Sequence, residues 1–341
     1  MAVDDKIERI LGLYPDDCQP HTLEPFTSAA GFSGAKLWRL KAARGTLCLR
    51  RWPPEHPTLE RLEFIQAVLW HVDQEGFHLI PVPLETRHRH GYVWHAGHLW
   101  ELAPWLPGEA DYPEKPSTTR LHNALLALSK FHDAAATFPL PEVGPAVSPG
   151  ILERRDRLRD LLDGRLAKLQ SAIREEVWPQ LAMRARELLT LFAKTAPKML
   201  PLLESAAQIQ VGLQPCIRDI WRAHVLFVGD QVSGMVDFGS MRPENVAADV
   251  ARLLGSFAGD KLGDWHRGLS AYQAVRRLSS DELNLVSAFD RSTVLMGGLQ
   301  WLDWIYGERR VFDDRAAVLA RIDEFLSRLA ALRKLLESGS T

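Results

Sequence analysis

The stretch CIRDIWRAHVLFVGDQVSGMVDFG, residues 216–239, holds two carboxylates eighteen residues apart, Asp219 and Asp237, with the imidazole of His224 between them. The runs HVLFV and VSGMVDF are rich in β-formers and flank a Gly-Asp turn signal, which predicts a hairpin. With the turn centred between Asp230 and Gln231, His224 and Asp237 lie opposite one another, and the loop carrying Asp219 feeds the same end. Three side chains able to take a proton or ligate a cation then share one mouth. An isolated Asp-Phe-Gly has a plainer use, Asp237 capping a loop and Asp219 sitting in solvent, so the weight rests on the spacing of the set.

Elements on either side must hold that hairpin. GAKLWRLKAARGTLCLRRW alternates as two strands over 36–41 and 46–52, joined by a turn at 43–45. The following segment places Leu59, Leu62, Ile65, Leu69 and Val72 close to helical period, with Gly76 just past the end. YVWHA and HLWELAPWL make a second strand pair. From about residue 106 the pattern turns helical, with a start signal at Pro116 and Ser117 and a stripe through Leu121, Leu125, Leu128 and Phe131. Amphipathic segments follow from 151 to about 203 and from 246 to near 336. The expectation is an α+β protein, with 1–105 a small antiparallel sheet plus one helix, 106–336 mostly α-helical around the hairpin, and 337–341 a frayed tail.

Of 341 residues, 46% are hydrophobic and 25% charged, with 41 basic against 43 acidic side chains and a net charge of -2. That is a globular composition with no summed basic field, so neither nucleic acid nor a membrane is the expected partner; a small neutral or polar ligand is. The opening MAVDDKIERILGLYPDD is acidic where a signal peptide needs basic residues, and no apolar run approaches the ~18 residues of a membrane span. A cytoplasmic protein is expected. Cys18, Cys48 and Cys216 stand far apart without a CxxC, which suits reduced structural thiols. RHRHG, with His88 and His90, reads as a solvated hairpin turn rather than a metal site. No GxGxxG opens a helix after a strand and no GxxxxGK[ST] occurs, which disfavours dinucleotide oxidoreductases and P-loop NTPases.

The order of Asp219, a ligand five residues on, and a hairpin ending in Asp-Phe-Gly resembles the catalytic core of the aminoglycoside phosphotransferase and choline kinase-like enzymes, relatives of the protein kinases. GFSGAKLWRL, LCLRRW, ELAPWLPGE and AADVARLLGSF resemble, in order, the phosphate-covering hairpin, the strand with its cation, the hinge and the helix after the metal loop. The resemblance implies a protein kinase-like two-lobed fold and transfer of the γ-phosphate of ATP to a hydroxyl of a sugar, amino alcohol or aminoglycoside-like molecule. It assigns Asp219 as base and Asp237, with His224, to Mg2+. Arg50 would touch the phosphates, steadied by Glu63 or, second, Glu60. Gly31, Ser33 and Gly34 would bring backbone N–H groups to the phosphates, and the backbone of Glu101, Ala103 and Trp105 would meet the adenine edge. Asp303 and Glu308 are the acceptor-binding candidates, and Asp249 a structural support. The acceptor itself and the oligomeric state stay open.

Two positions depart from the family pattern. Ile217 stands where a histidine usually braces the loop, a change that packing can absorb. His224 stands where an asparagine usually supplies oxygen to the metal; imidazole suits Mn2+ and other transition ions better than Mg2+. The alternative implied by these changes is a nucleotide-binding or inert pseudokinase with a regulatory or interaction role.

Overall fold

The computed structural model describes residues 5–26, 34–141, 144–174, 178–312 and 314–338. By contact the chain divides into two compact units: Met1–Pro141 with Gln214–Pro243 and Arg267–Arg277, and Glu142–Leu213 with Glu244–His266 and Leu278–Thr341. The lobes expected from the sequence follow chain order, whereas this grouping sets the 216–239 hairpin beside the first 141 residues.

The first unit opens with helix α1 (Asp5–Leu11), then β1 (Pro20–Phe26), β2 (Lys36–Ala42), β3 (Gly45–Arg51), α2 (Leu59–Gln74), β4 (Val93–His95), β5 (His98–Pro104) and α3 (Thr118–Ala135). The strands form one antiparallel sheet in the order β1-β2-β3-β5-β4. Strand side chains alternate between faces. Leu47 and Leu49 of β3 and Trp100 and Leu102 of β5 therefore face one way, burying against Ile7, Ile10, Leu11 and Tyr14. Arg50 and Glu101, paired across β3 and β5, face the other.

Both long helices of this unit start where their capping residues dictate. Thr58 accepts from the Arg61 N–H at α2, and Ser117 accepts from the Arg120 N–H at α3. The predicted turn RHRHG is a turn: Thr86 N–H donates to the His90 carbonyl, and Arg89 carries φ of 60°.

The hairpin of 216–239 consists of β6 (Val225–Val228) and β7 (Gln231–Met235). Its turn is Gly229–Asp230, one step earlier than expected, because Gly229 supplies the φ of 61° that a tight turn requires. A bulge between Val232 and Gly234 then adds one residue to the second strand. His224 consequently sits opposite Val236, whose N–H donates to the His224 carbonyl at 2.9 Å, and not opposite Asp237. The hinge segment clips onto this hairpin: Glu109 and Phe227 exchange backbone hydrogen bonds at 3.1 and 2.9 Å, and Ser233 donates to the Pro107 carbonyl at 2.6 Å. Gly108 between them has φ of 96°, and a Cβ there would lie 2.6 Å from the Phe227 carbonyl oxygen, so only glycine fits.

The second unit is helical, built on α4 (Pro149–Asp160), α5 (Leu166–Ala172), α6 (Pro179–Ala206), α7 (Ala247–Ala258), α9 (Ser280–Leu302) and α10 (Arg315–Glu337); α8 (Leu262–Gln273) contains the boundary between units. The N-terminus of α4 is fixed by the buried carboxylate of Glu244, which accepts from the Ser148 hydroxyl and the Gly150 N–H at 2.5 and 2.7 Å. The ends of α4 and α9 run on into irregular turns at Leu161–Arg165, kinked at Gly164 with φ of 119°, and at Asp303–Gly307. Helix α10 ends at Glu337 and Ser338 continues as a turn; the rest of the expected tail, 339–341, lies outside the described residues.

Candidate active site

Asp219 lies in the loop after the strand Gln214–Cys216, which is moored to α3 by the buried Gln214 side chain donating to the His132 carbonyl at 2.7 Å. Ile217 is fully buried, so the loop is braced by packing where the family pattern has a histidine. Arg218, immediately before the aspartate, adopts φ of 66°, and Asp237 adopts φ of 67°. A left-handed backbone at a residue with a side chain costs on the order of 1–3 kcal/mol and persists only where the surroundings enforce it. The strain here falls beside one site aspartate and on the other.

His224 ties the two together. Its Nδ1 lies 2.9 Å from the backbone carbonyl of Asp219, which can only accept, so Nδ1 carries the proton. The other nitrogen, Nε2, accepts from the Trp221 indole N–H at 3.0 Å and stands 3.5 Å from Oδ2 of Asp237. An imidazole whose Nδ1–H is held by a carbonyl is in the tautomer a metal-binding histidine needs, with the lone pair on Nε2. Nε2 and the Asp237 carboxylate are spaced so that one cation can be shared between them, and their donor set, one nitrogen and one oxygen, fits a first-row transition ion such as Mn2+ at least as well as Mg2+. Trp221 holds that lone pair, so a metal entering here displaces the indole N–H.

Across the sheet face, Nη1 of Arg50 lies 3.8 Å from Oε1 of Glu101 and 3.9 Å from Oδ1 of Asp237. Its guanidinium stacks over the Trp52 ring at 4.6 Å. Burial works against the Arg50 charge, yet Glu101 and then Asp237 outweigh it and raise the Arg50 pKa. Burial raises the pKa of Glu101, opposed by the Arg50 charge and by the Gln66 amide donating at 3.2 Å. Phe238 is buried against Phe131, ring centroids 5.8 Å apart, and a Cβ on Gly239 would come within 3.1 Å of the Trp52 ring. The Asp-Phe-Gly turn is thereby wedged between α3 and the strand that carries Arg50.

Several expected residues sit elsewhere. Glu63 is exposed and accepts from the Tyr92 hydroxyl at 2.9 Å rather than meeting Arg50. Glu60 is also exposed. The carboxylate that faces Arg50 is Glu101, whose side chain and not its backbone joins the site; the reason is register, since the two residues are direct cross-strand partners. Helix α2 contributes Gln66 instead of an acid. Trp105 cannot offer its N–H to an adenine because it donates to the Thr46 carbonyl at 2.9 Å, and Ala103 is buried within β5. Gly34 has the φ of 72° that glycine permits, while Gly31 and Ser33 lie outside the described residues. In the helical unit Asp303 is 2.7 Å from Arg165, whereas Glu308 is exposed and paired with Arg310 at 2.6 Å. Gln66 and Trp52 were not anticipated; a lone acid inside HLWELAPW was the available signal, because a charge in an apolar strand requires a partner.

A model of the phosphotransferase enzyme family matches residues 25–282, more than half of the chain. The chain therefore belongs to the phosphotransferase enzyme family, the family its Asp219 to Gly239 motif resembles, and it is a small-molecule kinase by class. It is similar to the homoserine kinase of Rhizobium meliloti (strain 1021), 26% identical over 251 residues, which cover 72% of this chain and 69% of that one. Among solved structures, a microcompartment-associated aminopropanol kinase superposes with a TM-score of 0.67 at 13% identity, covering 98% of each chain. A spectinomycin phosphotransferase in complex with ADP and spectinomycin gives 0.62 at 12%, covering 97% of each. At such identities the structures establish the fold, which is the protein kinase-like α+β fold expected from the sequence. Among the described residues no helix is long and apolar enough to cross a membrane.

Proposed function

We propose that the protein transfers the γ-phosphate of ATP to a hydroxyl of a small polar metabolite, of the size and polarity of an amino alcohol or a hydroxy amino acid. Asp219 orients the acceptor hydroxyl and takes its proton. As the acceptor oxygen forms its bond to the γ-phosphorus, the bond from that phosphorus to the bridging oxygen breaks, and ADP leaves. Arg50, pre-aligned by Glu101 and stacked on Trp52, holds the phosphates bidentately where a lysine would act as a point charge. Asp237 and His224 hold the divalent cation, Mg2+ or Mn2+, which when bound neutralises the phosphate oxygens. ATP as donor fits a cytoplasmic enzyme whose partners are nucleotide and small acceptor, with neither nucleic acid nor membrane involved.

The observation that carries this reading is the His224 side chain: one nitrogen bonded to the Asp219 carbonyl, the other beside the Asp237 carboxylate. A decayed site has no reason to keep that tautomer and two strained residues together. The pseudokinase alternative rests on the same histidine replacing an oxygen ligand, and the metal separates the two. Transfer of label from γ-labelled ATP should be screened over L-homoserine, 3-aminopropan-1-ol and aminoglycosides, with Mg2+ and with Mn2+. Turnover is expected to be faster with Mn2+, and His224→Asn should reverse the preference by about tenfold in the Mn2+/Mg2+ ratio of kcat/KM. Nucleotide binding without transfer to any acceptor under either metal would favour the pseudokinase.

A further inference from the structure

Helix α2 buries one polar side chain. Leu62, Gln66 and Leu69 recur at helical spacing on its inner face, and Gln66 is only 1% exposed. Its Nε2 donates to the Gly91 carbonyl at 3.0 Å and to Oε2 of Glu101 at 3.2 Å. A carbonyl and an ionised carboxylate can only accept, so both amide protons are committed, and a flipped amide would set its oxygen against an acid. Gly91 makes room for this arrangement. A Cβ there would lie 2.3 Å from Oε1 of Gln66, and because the Gly91 backbone is not left-handed, it is space and not conformation that requires the glycine.

Glu101 divides its two oxygens between partners. Oε2 takes the Gln66 amide, and Oε1 faces Nη1 of Arg50 at 3.8 Å. Oδ1 of Asp237 stands 3.9 Å from the same nitrogen, so two acids contend for one guanidinium on nearly equal terms. A carboxylate is planar, and pinning one oxygen fixes where the other lies. Without the amide, Glu101 is free to swing away and Arg50 to settle against Asp237. A neutral donor suits this place, because a second cation would compete with Arg50 for Glu101 and an acid would repel the carboxylate. Gln66, Gly91, Glu101, Arg50 and Asp237 all belong to the first compact unit.

We infer that Gln66 is a positioning residue for phosphate binding: acting through Glu101, it keeps the Arg50 guanidinium off Asp237 and in place for the phosphates of the nucleotide. This rests on the phosphotransferase reading and adds to it a residue one step removed from Arg50. A residue that merely satisfied the Gly91 carbonyl would affect the fold without regard to phosphate, and that difference can be measured.

The test compares the binding of ATP, titrated with Mn2+, and of adenosine, which shares the base and sugar and lacks the phosphates, by calorimetry on the full chain. Gln66→Met keeps the length of the side chain and removes both donors. It is expected to weaken ATP about tenfold and to leave adenosine within about twofold. Gly91→Ala retains Gln66 but displaces its amide; it should show the same phosphate-dependent loss, and it supplies the readout if Gln66→Met fails to fold. In an Arg50→Met background, Gln66→Met should cost ATP nothing further, because the guanidinium it positions is gone. That cycle decides on ATP alone if adenosine binds too weakly to titrate. Equal losses for ATP and adenosine, an unchanged ATP affinity in Gln66→Met, or a full loss that persists without Arg50 overturns the assignment and leaves Gln66 a core hydrogen-bonding residue. Wild type that binds no ATP sinks the phosphotransferase reading and this assignment with it, before any variant is compared, so the two failures are distinguishable.

Discussion

Asp219→Asn should lower kcat by about a thousandfold, the scale of a lost general base, while KM for ATP stays within about twofold of wild type. Asparagine preserves the shape and hydrogen-bonding reach of the side chain but cannot accept the hydroxyl proton. The His224 contact survives the substitution, because Nδ1 of His224 bonds the backbone carbonyl of Asp219. Single-turnover assays with saturating acceptor measure the loss directly. A variant as active as wild type would mean that the carboxylate does no proton transfer and that the loop merely positions substrate.

The second large effect is on stability and lies at the far end of the same hairpin. Arg120 on α3 is 6% exposed, and its guanidinium reaches Asp111 at 2.8 Å, Asp230 at 3.2 Å and the Gly229 carbonyl at 2.6 Å, lying over Phe227 at 4.9 Å. One side chain thus pins the β6–β7 turn to α3. Arg120→Met keeps most of the apolar stem but strands these acceptors, and should cost about 3 kcal/mol, the lower end for breaking a buried pair because Lys115 still reaches Asp111. Urea titration reads this as a lower midpoint with an unchanged slope. Acid sensitivity supplies a second readout. Bonds from Lys115 and Arg120 hold the Asp111 carboxyl below its ordinary pKa. The stability they contribute is complete above the unfolded-state value and is lost as pH falls through the folded one. In Arg120→Met that acid-side loss should be shallower.

Much of the five-stranded sheet was legible because its strands alternate cleanly. Lys36–Ala42, Gly45–Arg51 and His98–Pro104 fall within a residue or two of the expected spans. Helix α1 and strand β1 were not anticipated. Seven residues are too few to show a helical period, and PHTLEPF, with two prolines, reads poorly as a strand and is tolerated because β1 lies at the sheet edge. The site divides in the same way. Asp219, His224 and Asp237 are near in sequence, and hairpin geometry alone brings them together, even though the bulge shifts the pairing by one residue. Glu101 is fifty-one positions from Arg50, and its role depends on the β3–β5 register, which local sequence does not encode. Glu63 sat at a plausible helical position, but its side chain lies on the exposed face of α2 while Gln66, three residues on, points inward.

If Asp237 and a divalent cation together build a nucleotide site, calorimetric titration of ATP will show it. Wild type should bind ATP only in the presence of Mg2+ or Mn2+, and Asp237→Ala should lose that binding while unfolding with a similar midpoint. Metal-independent ATP binding that Asp237→Ala leaves intact, or no binding with either metal, would contradict it.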